Sequence, residues 1–230
     1  DPLWSRGLGD VYKRQLLSFT GRTLAADPAP ANTETKPRAT IMAVKVDTPP
    51  VIDGIMDDEV WNLAPKSSPF VQDDPVHGVP MTERTEFRVL YDDKALYLGF
   101  WCFDSEPNKI LARTMSRDDW PDADDFLIIS IDPFLDRRNG YMFAVNPNGS
   151  RFDAIINNNA YAGSSWDTIW DCRGKVTNKG LFCEFKLPFD SIAFAPNNTA
   201  FVSAPKSITV LTYVSFPMRI ACFSAVNPLR

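Results

Sequence analysis

The side chains best suited to chemistry in this 230-residue sequence are carboxylates and indoles. Carboxylates are plentiful, and a facing pair would suit glycoside hydrolysis. No spacing in the sequence, however, sets any two of them across a cleft. A denser group, Asp118, Asp119, Asp122, Asp124 and Asp125, offers oxygen ligands for calcium. It lacks the ligand order of an EF-hand loop, and a solvated turn is the better reading. The one histidine, His77, lies in a predicted loop, and there is no G-x-S-x-G elbow, P-loop or dinucleotide fingerprint. Zinc chemistry, a histidine-based triad and nucleotide handling are therefore not expected. Cys102, Cys172, Cys183 and Cys222 lack C-x-x-C spacing and read as buried free thiols. Cys172 and Cys183 flank a predicted hairpin diagonally, which permits a disulfide without requiring one.

Two loop tryptophans are more informative. Trp120 sits in the acidic turn before the central strand, and Trp166 follows Gly163-Ser164-Ser165 in a polar loop. An indole face stacks on the apolar C–H face of a sugar ring, while amides, carboxylates and guanidinium groups bind its hydroxyls. Trp120 reads as exposed; Trp166 reads equally well as a platform or as a cap on the core. The binding reading expects the two indoles at one end or on one face, with Arg88, Arg117 or Asn146 beside them. A formal net charge of −5 and the lack of a basic stripe argue against a nucleic-acid partner. No apolar run approaches the ~18 residues of a membrane-spanning helix.

These side chains must be positioned by strands. Phe126 to Ile131 is an unbroken apolar run closed by Asp132-Pro133, short enough for a strand buried on both faces. Tyr141, Phe143 and Val145 then repeat with period two, and Phe152, Ala154 and Ile156 do so after the turn Asn146-Pro147-Asn148-Gly149. Further strands are predicted over Ile41 to Val46, Thr85 to Tyr91, Ala95 to Phe103, Ile169 to Val176 and Leu181 to Leu187. In the last of these, Leu181, Cys183, Phe185 and Leu187 face in, and Glu184 and Lys186 face out. Asp57-Asp58-Glu59 opens a short helix that runs through Leu63, stops at Pro65 and carries Trp61 as a core anchor. Many short strands with one or two short helices predict an all-β fold, an antiparallel β-sandwich of immunoglobulin-like or jelly-roll type.

Not all of the chain belongs to that sandwich. Ser5 to Gln15, SRGLGDVYKRQ, matches the translation of a transposase sequencing adapter, so residues 1–15 are set aside from the fold. Leu16 to Ala26 reads as the end of a secretory signal, and residues through 39 as a Pro- and Ala-rich linker. The sandwich is expected over residues 40–196. Residues 197–230 contain no Asp or Glu, which points to a frame-slipped tail rather than a neutral closing strand. Such a tail would leave a sheet edge open.

In order along the chain, VIDGIMDDEVWNLA, TERTEFRVLYDDKALYLGFWCFDSEPNKI, ADDFLIISIDPFLDRRNGYMFAVNPNGSRFDA, SSWDTIW and FCEFKLPFDSIAF resemble family 9 carbohydrate-binding modules. The likeness is greatest to a subgroup at the N-terminus of larger secreted bacterial proteins, ahead of a predicted membrane β-barrel-like region. It covers roughly Ile41 to Phe194. It implies a noncatalytic β-sandwich that binds an oligosaccharide or polysaccharide, association with O-glycosyl hydrolases, and a periplasmic or outer-membrane setting. It also implies a C-terminal partner domain and, in some members, structural calcium; no other cofactor is expected. Aligned on Asp125, the family's glutamate three positions on falls on Ile128 and its sugar-contacting arginine on Ala144. The following asparagine is kept as Asn146, and Trp120 is the nearest counterpart of a stacking tryptophan.

Overall fold

The computed structural model describes residues 41–74, 79–119, 124–134, 136, 138–158, 160–161, 165–193, 209–216 and 219–225. They build two sheets. One has five strands in the order β1 (Val44–Lys45), β3 (Thr85–Tyr91), β4 (Ala95–Phe103), β10 (Gly180–Pro188) and β9 (Asp171–Thr177). The other has seven, in the order β2 (Val71–Asp74), β12 (Arg219–Ala225), β11 (Thr209–Phe216), β5 (Phe126–Asp132), β6 (Gly140–Val145), β7 (Arg151–Asn157) and β8 (Ala160–Tyr161). Every neighbouring pair is antiparallel except β1 and β3. Residues 1–40, with the adapter, signal and linker readings, lie outside the described residues, as does His77.

The period-two alternation decides the core. Phe87 and Val89 of β3, Leu98 and Phe100 of β4, and Cys183 and Phe185 of β10 are buried against Leu127, Ile129, Phe143 and Val145 of the other sheet. An aromatic chain links the two layers. Phe87 stacks on Phe100 at 5.3 Å, Phe100 meets Phe185 at 5.7 Å, Phe185 stacks on Trp170 at 5.8 Å, and Trp170 meets Phe143 at 5.2 Å. Fully burying each such ring contributes roughly 1.5–3 kcal/mol, so this layer is the main source of stability.

Several expectations need correction. The strand expected over Ile41 to Val46 is reduced to Val44–Lys45, and the short helix is a 3-10 turn, Glu59–Leu63, that buries Trp61 as anticipated. The tail does not leave β5 as an open edge. Its strands β11 and β12 fill the sheet between β5 and β2, because the apolar run at 209–216 pairs through its backbone whatever its charge. The stripe Phe152, Ala154 and Ile156 faces away from the inter-sheet core and joins Phe126, Ile128, Met142 and Ala144 on the outer side of the seven-stranded sheet. Cys172 and Cys183 are free, buried and offset by two residues in register, as the diagonal placement required; Cys102 is also free.

Candidate functional site

The acidic group before β5 is divided: Asp118 and Asp119 are exposed, as a solvated turn requires, whereas its last two members are not, and Asp122 lies outside the described residues. Asp124 and Asp125 are both buried. The Asp124 carboxylate accepts the N–H of Arg113 (2.7 Å), the N–H of Thr114 (2.8 Å) and the Asn146 amide (2.8 Å). Burial pushes this carboxyl up, but those hydrogen bonds outweigh it and hold it below the usual aspartate range. Asn146 also donates to the Thr114 carbonyl and accepts the Ser150 N–H, each at 2.8 Å. Its amide therefore braces the 112–118 segment against the β6–β7 turn, fully inside the fold.

Asp125 differs. One carboxylate oxygen accepts the Leu111 N–H at 2.7 Å, and the other is buried with no partner among the described residues. Burial, helped by Asp104 and Asp124 and opposed by the Leu111 N–H, pushes its carboxyl up to about 6. No group of three or more His, Cys, Asp or Glu side chains among the described residues converges as metal ligands. Because the folded pKa lies above the unfolded one, the stabilising contribution is complete below about pH 4 and is lost as pH rises through about 6. Replacing Asp125 with Asn, which cannot ionise, is expected to raise stability over the parent by on the order of 2–3 kcal/mol at pH 7.5 and hardly at all at pH 4. Urea melts at both pH values give the answer; an equal effect at both would show that ionisation is not the cause.

A cleft of about 530 Å³ is built around β7 and the 165–171 segment. Asp153 of β7 lies opposite Phe143 in register, so it points inward where an apolar residue would be expected, and it is buried. Its carboxylate accepts Arg117 Nη2 (3.1 Å), Trp170 Nε1 (3.1 Å) and the Thr168 N–H (2.9 Å). Arg117 also donates to Asp167 and to the Thr168 carbonyl. Asp118, beside it, adopts φ +64°, a conformation aspartate tolerates better than most residues, and its N–H donates to the Arg151 carbonyl. Burial and the Asp153 and Asp167 carboxylates push the Asp118 carboxyl up against the pull of the Arg117 guanidinium. Arg151 donates to the Trp170 carbonyl at 2.6 Å and lies 3.7 Å from Asp171. The lining thus carries two guanidinium groups, each beside a carboxylate, Arg117 with Asp167 and Arg151 with Asp171, together with Lys186 and Pro188.

The residues expected at one site do not all meet here. Arg117 lines the cleft. Trp166 is half-buried and packs against the core, stacked on Tyr141 at 4.8 Å and edge-to-face with Phe143 at 6.2 Å, as the cap reading has it. Trp120 lies outside the described residues. Arg88 is turned elsewhere: it alternates with Phe87 and Val89, so it leaves the outer face of β3 and donates to the Trp61 carbonyl (2.6 Å) and Asn62 (2.9 Å). Asp153, Arg151, Asp167 and Thr168 were not anticipated. A signal for Asp153 existed, since it shares the inward parity of Ile155 in β7.

No protein-family profile matches the sequence, and no curated protein matches it. Solved structures do match its fold. A family 9 carbohydrate-binding module from Caldicellulosiruptor kristjanssonii in complex with cellotriose is 20% identical, with a TM-score of 0.51, over 80% of this chain and 82% of that one. The same kind of module from that organism in complex with glucose is 18% identical, with a TM-score of 0.50, over 79% and 84%. A candidate carbohydrate-binding protein from Bacteroides uniformis is 12% identical, with a TM-score of 0.56, over 84% and 93%. The two-sheet all-β fold is that of family 9 carbohydrate-binding modules.

Proposed function

We propose that this domain is a noncatalytic carbohydrate-binding module that takes an oligosaccharide or a polysaccharide into the cleft beside Arg117. It would act within a secreted or outer-membrane bacterial protein engaged in glycan breakdown. The observation that carries this is the lining itself. Paired guanidinium donors and carboxylate acceptors line one cleft, a set that suits vicinal hydroxyls, each of which donates and accepts. Modules of this fold hold cellotriose and glucose, so a β-glucan fragment is the first ligand to test. With little exposed aromatic face, affinity should be modest, because stacking area is the main apolar contribution.

Titration calorimetry of the full chain with cellotriose provides the test. Asp167 is 66% exposed, so Asp167→Ala should leave the fold intact and weaken binding about tenfold, the loss of one charge-assisted hydrogen bond. Arg117→Lys, which keeps the charge but not the fork, should weaken it similarly. A glycan array on which nothing binds, or binding indifferent to both substitutions, would reject the cleft.

One observation favours a second reading, a structural domain that packs on its own C-terminal barrel. Ile128 and Ala144, which stand where the resembled modules carry a glutamate and an arginine, lie within the apolar stripe on the outer side of the seven-stranded sheet. An empty glycan array would move this reading ahead.

A further inference from the structure

The outer face of the five-stranded sheet carries a second recess, of about 370 Å³, that shares no lining residue with the Arg117 cleft. Its floor follows from register. Trp101 of β4 pairs with Phe182 of β10, and Phe182 pairs with Lys175 of β9, so these three side chains form one row across three strands on the same face. Phe103 adds the next row, where its partner is Gly180. That glycine has φ +130°, and a Cβ there would fall 2.1 Å from the Cys102 carbonyl oxygen, so the floor stays flat beside Phe103. Phe103 and Phe182 meet edge to face at 5.5 Å. All three rings are half-buried although they point away from the inter-sheet core.

Residues 54–57 form one wall, and Lys175, Lys179 and Asp57 stand at the rim. Lys175 and Lys179 are exposed, and neither takes part in an ion pair among the described residues. An aromatic floor calls for a ligand with a flat apolar face, and two free ammonium groups at its margin call for an anion on that ligand's edge. Two lysines against one aspartate leave the lining residues with a single net positive charge. Of the guanidinium groups over the floor, Arg84 (3.7 Å from Phe103) is paired with Glu86, and Arg88 (5.2 Å from Trp101) is held by the Trp61 carbonyl and Asn62. That net charge matches one carboxylate better than a dianionic phosphate, and Asp57 remains as an acceptor for a hydroxyl.

We propose that this recess binds a uronic-acid residue of an acidic glycan, its ring face on Trp101 and Phe182 and its carboxylate between Lys175 and Lys179. The site stands independently of the cleft proposed for neutral saccharides. Trigalacturonate is the probe, titrated into the full chain, with cellotriose as the uncharged counterpart and inorganic sulfate as a simple anion. Trigalacturonate should bind, and its affinity should fall at least tenfold in the Lys175→Ala, Lys179→Ala double variant and again in Trp101→Ala. Asp167→Ala should leave it unchanged, which separates this site from the cleft. The lysines are on the surface, so an unaltered Tm is expected for the double variant even if Trp101→Ala fails to fold. The proposal is overturned if trigalacturonate does not bind, if sulfate or cellotriose displaces it equally well, or if binding survives loss of both lysines.

Discussion

Replacing Glu184 with alanine is expected to cost about 3–5 kcal/mol and to lower Tm by roughly 10 °C. Glu184 occupies an outward position of β10, between Gly99 and Arg173 in register, and is nonetheless 0% exposed. One carboxylate oxygen accepts the N–H groups of Asp53 (3.1 Å) and Gly54 (2.9 Å); the other accepts Trp61 Nε1 at 3.0 Å. Gly99 makes the arrangement possible, since a Cβ there would come within 3.1 Å of the Trp61 ring and 2.9 Å of Met56. Burial outweighs the three hydrogen bonds and holds the Glu184 carboxyl above the usual range. The cost of removal therefore lies in the stranded donors and the cavity, at ~1–3 kcal/mol per unsatisfied buried group, less what water recovers. Glu184→Gln offers a sharper check. Its amide nitrogen must face either the indole N–H or the two backbone N–H groups, so part of its penalty should vanish in a Trp61→Phe background. Chemical denaturation of the four chains measures that coupling. A loss below about 1 kcal/mol for Glu184→Ala would mean that the loop and the 3-10 turn are held by packing alone.

The second large effect is expected at Asp153. Its replacement by alanine strands the Trp170 indole N–H and the Thr168 N–H, and it removes the buried partner of Arg117. Breaking a buried charged contact in this way costs roughly 3–5 kcal/mol, and here the loss reaches function as well as stability. Arg117, Thr168 and Trp170 all line the proposed saccharide cleft. Asp153→Ala should thus abolish cellotriose binding even at temperatures where the chain remains folded. Asp153→Asn keeps one acceptor oxygen and the side-chain volume, so it should cost only about 1–2 kcal/mol and retain weakened binding. Near-ultraviolet circular dichroism, which reports the Trp170 environment, should change for Ala and much less for Asn. Wild-type affinity in Asp153→Ala would separate the cleft from this carboxylate and undo the assignment.

The sandwich itself was readable from pattern. Phe87, Leu98, Phe100, Cys183 and Phe185 sit on the buried face that their alternation assigns, because a strand's side chains switch faces at every residue. The turn at 146–149 could be read from Pro147 and from Gly149, which takes φ +81°. Trp61 could be read as an anchor because a lone indole on a short acidic-capped turn has few other places to go. In the tail, Ser207 to Tyr213 has a strand-like pattern that anticipates β11, although the lack of acidic residues argued against a place in the sheet.

Tertiary structure alone decided what lies on top of each strand. Alternation correctly put Glu184 outside the inter-sheet core, but only the return of Asp53, 131 residues away, covers it. Asp124 read as part of a solvated turn, but Arg113, Thr114 and Asn146 supply donors to it from 10 to 22 residues away. The same limit separated Arg88 from Arg117, since one leaves the outer face of β3 and the other sits in the loop before β5, and no local pattern relates a strand face to a distant loop. Periodicity along a chain is set by local backbone geometry, and so it can be read from neighbouring residues. Which donor meets which carboxylate is set by loop paths that bring distant segments together, and the cleft and the aromatic recess are both made of such meetings.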